Sequence, residues 1–228
     1  MRRVECAGTS EGGDPRGVEV RSIGIDDYSA VRYVHGTAFK SIGLSFLDEA
    51  ELNPLLAPFE SIEYTESLMS EDLVGAWIGS ELVGTAVWLA ADDTGRSARI
   101  TSVYVRPMFT RLGVGRMLVR EDETRARRHG YRSFSARATP ITAGFYQKLG
   151  YAVTSHGSIP VDKERGLPLT FLRRHDAAVV EQGLEHSAPA ARPGARTLPK
   201  GSRSVANVVD IMTAAASKTP PLPKFADQ

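Results

Sequence analysis

The chain has 228 residues, 42% of them hydrophobic and 24% charged, enough for one globular domain with a sizeable core plus an extension. Its 28 basic and 27 acidic residues leave a net charge of +1, so no broad electrostatic footprint points to nucleic acid or a membrane. The lone Cys6 excludes an intramolecular disulfide and suits a reducing compartment. His35, His129, His156, His175 and His186 have no metal-ligand spacing with one another or with Cys6, so no metal is expected.

Residues 1–17 are Gly-rich and polar, a leader not expected to pack on its own. Arg2-Arg3 precedes no apolar run before Gly12-Gly13, and no stretch approaches a membrane span, so the expected location is cytoplasmic. Val18, Val20 and Ile23 predict a first strand. Asp26-Asp27 can cap a helix in which Tyr28, Val31, Val34, His35 and Ala38 recur at helical spacing. A second helix is expected within 46–69, broken near Pro54 and Pro58.

Leu73–Ile78 and Leu82–Leu89 read as strands joined by a Gly79-Ser80 hairpin turn, with another turn at Asp92-Asp93-Thr94-Gly95. A strand over Ile100–Val105 leads into a helix running from Gly113 to about His129 and stopping at Gly130. Arg125, Arg127 and Arg128 near its end read as a solvated face that complements the helix dipole. Glu121 and Asp122 interrupt its apolar spacing after Leu118, without an evident reason. A strand over Tyr131–Ala136, a helix over Ile141–Leu149 and strands over Tyr151–Thr154 and Leu169–Arg173 complete the domain, which spans 18–175. Residues 176–228 are rich in Ala and Pro and linker-like. Within them 204–216 has the spacing of a short amphipathic helix, expected to fold back on the domain or stay disordered, with docking on a protein partner as the alternative.

The most informative stretch is Val103-Tyr104-Val105-Arg106-Pro107 followed by Thr110-Arg111-Leu112-Gly113-Val114-Gly115-Arg116. It reads as a strand, a turn and a helix N-terminus where glycines let unpaired N–H groups converge on an anion such as a pyrophosphate. A dinucleotide fingerprint needs a third Gly where Leu118 stands, and a Walker A loop needs Lys-Ser/Thr where Arg116-Met117 stand, so both are excluded.

The stretch instead resembles the phosphate loop of the GCN5-related N-acetyltransferase (GNAT) superfamily, Gln/Arg-x-x-Gly-x-Gly/Ala after a Val-x-Pro strand end. Gly113 and Gly115 match, while Thr110 stands at the first position and Arg111 falls one place late. Ala143-Gly144-Phe145-Tyr146-Gln147-Lys148-Leu149-Gly150-Tyr151 is similar to the family's A-x-x-F-Y-x-K-x-G-F/Y stretch from Phe145 to Tyr151, with Ala143 one place late for its A. The Asn that often precedes this helix is Pro140 here.

The resemblance implies an α/β (α+β) acyl-CoA N-acyltransferase fold, a mixed central sheet with helices on both faces. It implies acetyl-CoA as cosubstrate, held by main-chain groups of Val103, Tyr104 and Val105 and of the loop Thr110, Arg111, Leu112, Gly113, Val114, Gly115 and Arg116. It implies an amine acceptor, a small molecule or peptide, and direct attack without a covalent enzyme intermediate. Ile141, Phe145 and Leu149 recur at i, i+4 as a core stripe, which rotates Tyr146 about 100° toward the cleft as candidate acid. An ordinary phenol, with a pKa of about 10, keeps its proton for a departing thiolate. Glu63, Asp72, His156, Asp162 and Glu164 are open as base, as is water. A non-catalytic acyl-CoA sensor and an interaction protein recruited through the tail are the alternatives.

Overall fold

The apolar strand segments assemble into one sheet in a computed structural model that describes residues 17–44, 48–69, 71–91, 97–160 and 166–176. The leader 1–16, the tail 177–228 with its segment 204–216, and the expected turn at 92–95 lie outside the described residues. The strands are β1 (Val18–Ser22), β2 (Val74–Ile78), β3 (Glu81–Ala90), β4 (Ser97–Val105), β5 (Ser133–Ala138), β6 (Ala152–Pro160) and β7 (Gly166–His175). Their spatial order follows the chain except that β7 lies between β5 and β6. Every adjacent pair is antiparallel except β4 and β5, which are joined through a helix as a parallel crossover requires.

The helices are α1 (Tyr28–Gly43), α2 (Glu49–Leu56), α3 (Ile62–Met69), α4 (Val114–Arg128) and α5 (Pro140–Gln147). The first three, with the 3-10 turn Ala57–Glu60 that links α2 to α3, bury Val34, Phe39, Leu52, Phe59 and Tyr64 against one sheet face with Trp77, Val87 and Tyr104. The last two cover the opposite face, where Val119, Ala143 and Tyr146 meet Trp88, Ile100, Phe134 and Leu172, and Leu118 meets Val74, Val83 and Ala86. Such two-sided burial is what a sheet with an apolar central strand needs. Among the described residues no helix is long and apolar enough to cross a membrane.

Local chemistry sets the element ends. Asp48 caps α2 by accepting from the Glu51 N–H at 2.8 Å. Pro54 does not break this helix as expected, because its missing N–H removes one bond from a helix already held by that cap and by buried Leu52; the break falls at the 3-10 turn Ala57–Glu60 around Pro58. At the end of α4, Gly130 adopts φ 90°. Its N–H donates to the Arg127 carbonyl at 3.0 Å while that of Tyr131 donates to the Ala126 carbonyl at 3.1 Å. Tyr131 is thereby part of the helix closure, so β5 starts at Ser133, later than the apolar pattern indicates. The strands β6 and β7 run longer than expected because backbone pairing, from Ala152↔Arg173 to Pro160↔Gly166, carries them past the apolar residues.

The acidic interruption in α4 resolves into three fates. Glu121 pairs with Arg125 at 2.8 Å, and Arg125 also reaches Ser22 and Asp72. Glu123, 1% exposed, accepts from the Tyr151 hydroxyl at 2.8 Å and from Arg174, while Arg127 bridges it to Asp176. Asp122 is 0% exposed and neither carboxyl oxygen has a hydrogen-bond partner among the described residues. Burial pushes its carboxyl well above the usual carboxylate range. Arg125 and Arg127 are therefore not merely a solvated face: they neutralise acids that the helix packs inward.

Candidate functional site

Strand β4 is irregular where the sequence motif begins. Its pairing with β3 runs Gly84↔Val105 and Thr85↔Tyr104, then jumps to Val87↔Thr101, so β4 takes three steps where β3 takes two. The extra residue is a β-bulge, and Ser102 within it has φ 50°, a left-handed conformation that costs a non-glycine residue on the order of 1–3 kcal/mol. On its other side β4 pairs with β5 only from Ser97↔Ser133 to Ile100↔Ala136. Beyond that point β4 continues with β3, and β5 continues with β7 to Ala138↔Thr170. A gap thus opens between the two central strands, bordered by the main chain of β4 after Ile100. Val103 is half-buried and packs toward the α4 and α5 side, whereas the side chain of Tyr104 goes to the α1 side.

The loop after β4 passes through a 3-10 turn, Pro107–Phe109, where the Thr110 hydroxyl donates to the Pro107 carbonyl at 2.8 Å. Arg111 has φ 64° and Gly113, the residue before α4, has φ 88°. No side chain caps this helix start, so the first-turn N–H groups of Val114, Gly115 and Arg116 have no intrahelical acceptor. Thr110, Arg111, Leu112, Gly113 and Arg116 are exposed, and Val114 is buried as the anchor. The two glycines serve different ends. A Cβ on Gly113 would meet nothing within 4 Å, so its backbone angle is the requirement. A Cβ on Gly115 would stand 3.2 Å from the Phe145 ring and 3.7 Å from Val105, so here close approach is the requirement. The start of α4, the end of β4 and α5 therefore meet at one point, with exposed N–H groups at the positive end of a helix dipole that suits an anion.

The expected core stripe on α5 is not the one observed. Ile141 is 58% exposed and Phe145 only partly buried, whereas Tyr146 is 7% exposed and packs inward with Ala143. The stripe shifts because α5 starts at Pro140 behind the Thr139 cap, which accepts from the Thr142 N–H at 3.2 Å, and so presents the 143 and 146 positions to the sheet. Pro140, where the family often has Asn, is thus a helix-starting residue. The Tyr146 ring lies edge-on to Phe145 and Tyr151, with centroids 5.0 Å and 5.6 Å away, in the cluster that Val103 abuts.

Between α4 and α5 runs a groove of about 330 Å³ lined by Arg116, Arg120, Arg127, Lys148 and Arg174, with Glu123 at its floor. Arg116, Arg120 and Lys148 form no ion pair with another described residue, which leaves this wall strongly positive. Arg120 was not evident from the motifs, and Lys148 stands at the K of the second motif, which assigns it no role; the i, i+4 repeat of Arg116 and Arg120 is the signal that carries Arg120.

The base candidates separate. Asp72 faces Arg125 on the α4 side, Glu63 is exposed on α3, and His156 sits on β6 with its Nδ1 3.2 Å from the Thr170 hydroxyl. Asp162 and Glu164 lie outside the described residues. Behind the bulge, buried His35 contacts Tyr64, Thr85 and Tyr104, a cluster that helical spacing alone did not single out.

Residues 44–151 match the model of the Acetyltransferase (GNAT) family. No curated protein matches the sequence. Among solved structures the chain is similar to a GCN5-related N-acetyltransferase from Rhodopseudomonas palustris, with a TM-score of 0.57 at 17% identity over 69% of this chain and 94% of that one. It is similar also to the PaiA N-acetyltransferase of Thermoplasma acidophilum in complex with coenzyme A (0.55, 18% identity, 70% and 99%). YncA of Salmonella typhimurium, solved with its cofactor acetyl-CoA, aligns at 0.52 with 22% identity over 77% and 99%. At such identities the neighbours establish the mixed sheet and its helices as the shared fold. The match to the acetyltransferase (GNAT) family model spans both motifs, residues 110–116 and 143–151, and the shared fold agrees with it.

Proposed function

We propose that the protein transfers an acetyl group from acetyl-CoA to an amine, on a small molecule or a peptide, by direct attack in a ternary complex. The observation that carries the reading is the meeting of β4, the open start of α4 and α5 at Gly115, directly beside the gap between β4 and β5. A long, thin thioester substrate with an anionic middle needs those features in that order.

In this reading the N–H groups from Arg111 to Arg116 hold the diphosphate. Main-chain groups of Val103, Tyr104 and Val105 line the acyl arm, one of their N–H groups facing the thioester oxygen as it gains negative charge. Arg116, Arg120 and Lys148 supply the positive wall that a phosphorylated nucleotide end requires. The amine nitrogen forms a bond to the acetyl carbon, the carbon–sulfur bond breaks, and the Tyr146 phenol gives its proton to the leaving thiolate. Proximity supplies most of the remaining acceleration, since both reactants are held at one site. The amine proton passes to water or to a side chain on the acceptor side.

The test is incubation with acetyl-CoA and a panel of small-molecule and peptide amines while free thiol is followed. Thiol release that depends on the acceptor is expected. Tight coenzyme A binding with no such release for any amine would replace this reading by a non-catalytic acyl-CoA sensor.

A further inference from the structure

His35 is wholly buried on α1 and takes no part in the reaction just described. Its Nδ1 is hydrogen-bonded to the Tyr64 hydroxyl on α3, and its Nε2 lies 2.7 Å from the Thr85 hydroxyl on β3. The imidazole ring packs against the Tyr104 ring on β4, with centroids 4.4 Å apart. Thr85 and Tyr104 are register partners, and theirs is the last regular pair before the bulge at Ser102. His35 therefore touches both strands at the step where β4 gains its extra residue.

The protonation state fits a fixed bridge. Burial lowers the imidazole pKa to about 3, so the ring is neutral at working pH. A neutral imidazole has one donor and one acceptor, and each hydroxyl can complement either, so both ring nitrogens are satisfied. Such a ring offers no protons to a reaction but holds its two partners at set positions. A left-handed serine in a strand persists only where the surroundings over-determine it, and this buried bridge supplies that constraint from the α1 side.

We propose that His35 is a positioning residue for acyl transfer: by bridging Tyr64 to Thr85 with its ring against Tyr104, it fixes the bulged stretch of β4 that borders the gap. The assignment rests on the reading of that gap as the site of the thioester. His35 acts on the placement of the thioester oxygen and leaves the diphosphate loop untouched, so its loss appears in turnover rather than in donor affinity.

The experiment compares His35→Phe, which keeps a ring without its bonds, with His35→Gln, whose amide can reach Thr85, and with Thr85→Val. Each is assayed as folded protein for kcat, for acetyl-CoA affinity and for amide hydrogen exchange over residues 101–105. The His35→Phe and Thr85→Val proteins are expected to lose about tenfold or more in kcat, the scale of a small misplacement at a reacting centre, with coenzyme affinity held within about threefold and faster exchange in β4. The His35→Gln protein should recover most of the turnover and the slow exchange. Equal kcat per folded molecule in all variants, or unchanged exchange over 101–105, would overturn the assignment. A wild-type protein inactive toward every amine would remove the transferase reading, and the exchange measurement would then decide on the bridge alone.

Discussion

The N–H of Tyr151 donates to the carbonyl of Tyr146 at 3.1 Å, and the two rings meet edge to face with centroids 5.6 Å apart. Gly150 between them has φ 90° and donates to the Gln147 carbonyl at 3.0 Å. This is a glycine-terminated helix end with its apolar contact, and it gives the Gly-Tyr of the motif a physical reason: these residues stop α5 and lock the ring of Tyr146. Tyr151 then donates from its hydroxyl to Glu123, which ties the same helix end to α4 and, through Arg174, to β7.

Because that packing involves the ring, Tyr146→Phe removes the hydroxyl and leaves the support in place. Turnover is expected to fall by about 10- to 1,000-fold with little change in acetyl-CoA affinity. Steady-state kinetics beside a direct binding measurement separate the two, and undiminished kcat would take Tyr146 out of the acid role.

At the loop, Gly113→Val adds a side chain at φ 88° into space that no protein atom occupies. The fold should survive with a strain of about 1–2 kcal/mol, while acetyl-CoA affinity falls at least about tenfold because the added methyls stand where an anion would approach the N–H groups. Calorimetric titration checks this, and wild-type affinity would contradict the loop assignment.

The positive groove makes a salt-dependent prediction. Reversing Arg120 and Lys148 to Glu should raise the KM for acetyl-CoA about tenfold or more at low ionic strength, with kcat unchanged, and the effect should shrink as salt screens the exposed charges. A KM that does not move at low salt would place the nucleotide end elsewhere.

Asp122 controls stability against pH. Its folded-state pKa is raised by burial above an ordinary value near 3.8, so its favourable contribution is fully present below that value and is lost as pH rises toward the raised folded pKa. Asp122→Asn should flatten that loss, and Asp122→Leu should stabilise the protein at neutral pH by about 1–3 kcal/mol, the cost of an unsatisfied buried polar group. Urea unfolding across pH 4–8 measures both, and identical slopes for the wild type and the Asn variant would sink the account.

Glu123, unlike Asp122, has hydrogen-bond partners. It is buried with two arginines and a phenol bonded to it, so Glu123→Ala strands its partners and should cost about 3–5 kcal/mol. Tyr151→Phe removes one bond and should cost about 1 kcal/mol. The double variant should fall short of the sum, and strict additivity in a thermodynamic cycle would show that the two do not interact.

The sequence alone was enough for the order of strands and helices, the two glycine motifs and the family they resemble, because those features are local. Gly79-Ser80, Gly113 and Gly130 mark turns and helix ends through backbone angles that neighbouring residues cannot alter. The side of α5 that faces the sheet was not legible, because a cap at Thr139 and a proline at 140 set its phase and Ile141 gives a misleading apolar signal at the surface. Nor could the roles of Glu121, Asp122 and Glu123 be separated, since consecutive helix positions point in different directions and their partners Arg125, Tyr151 and Arg174 arrive from later parts of the chain. The bulge at Ser102, the parting of β4 from β5 and the contacts of His35 with Thr85 and Tyr104 belong to tertiary structure alone. They depend on strand register and on one helix packing across two strands, relations between residues far apart in the chain that no local pattern encodes.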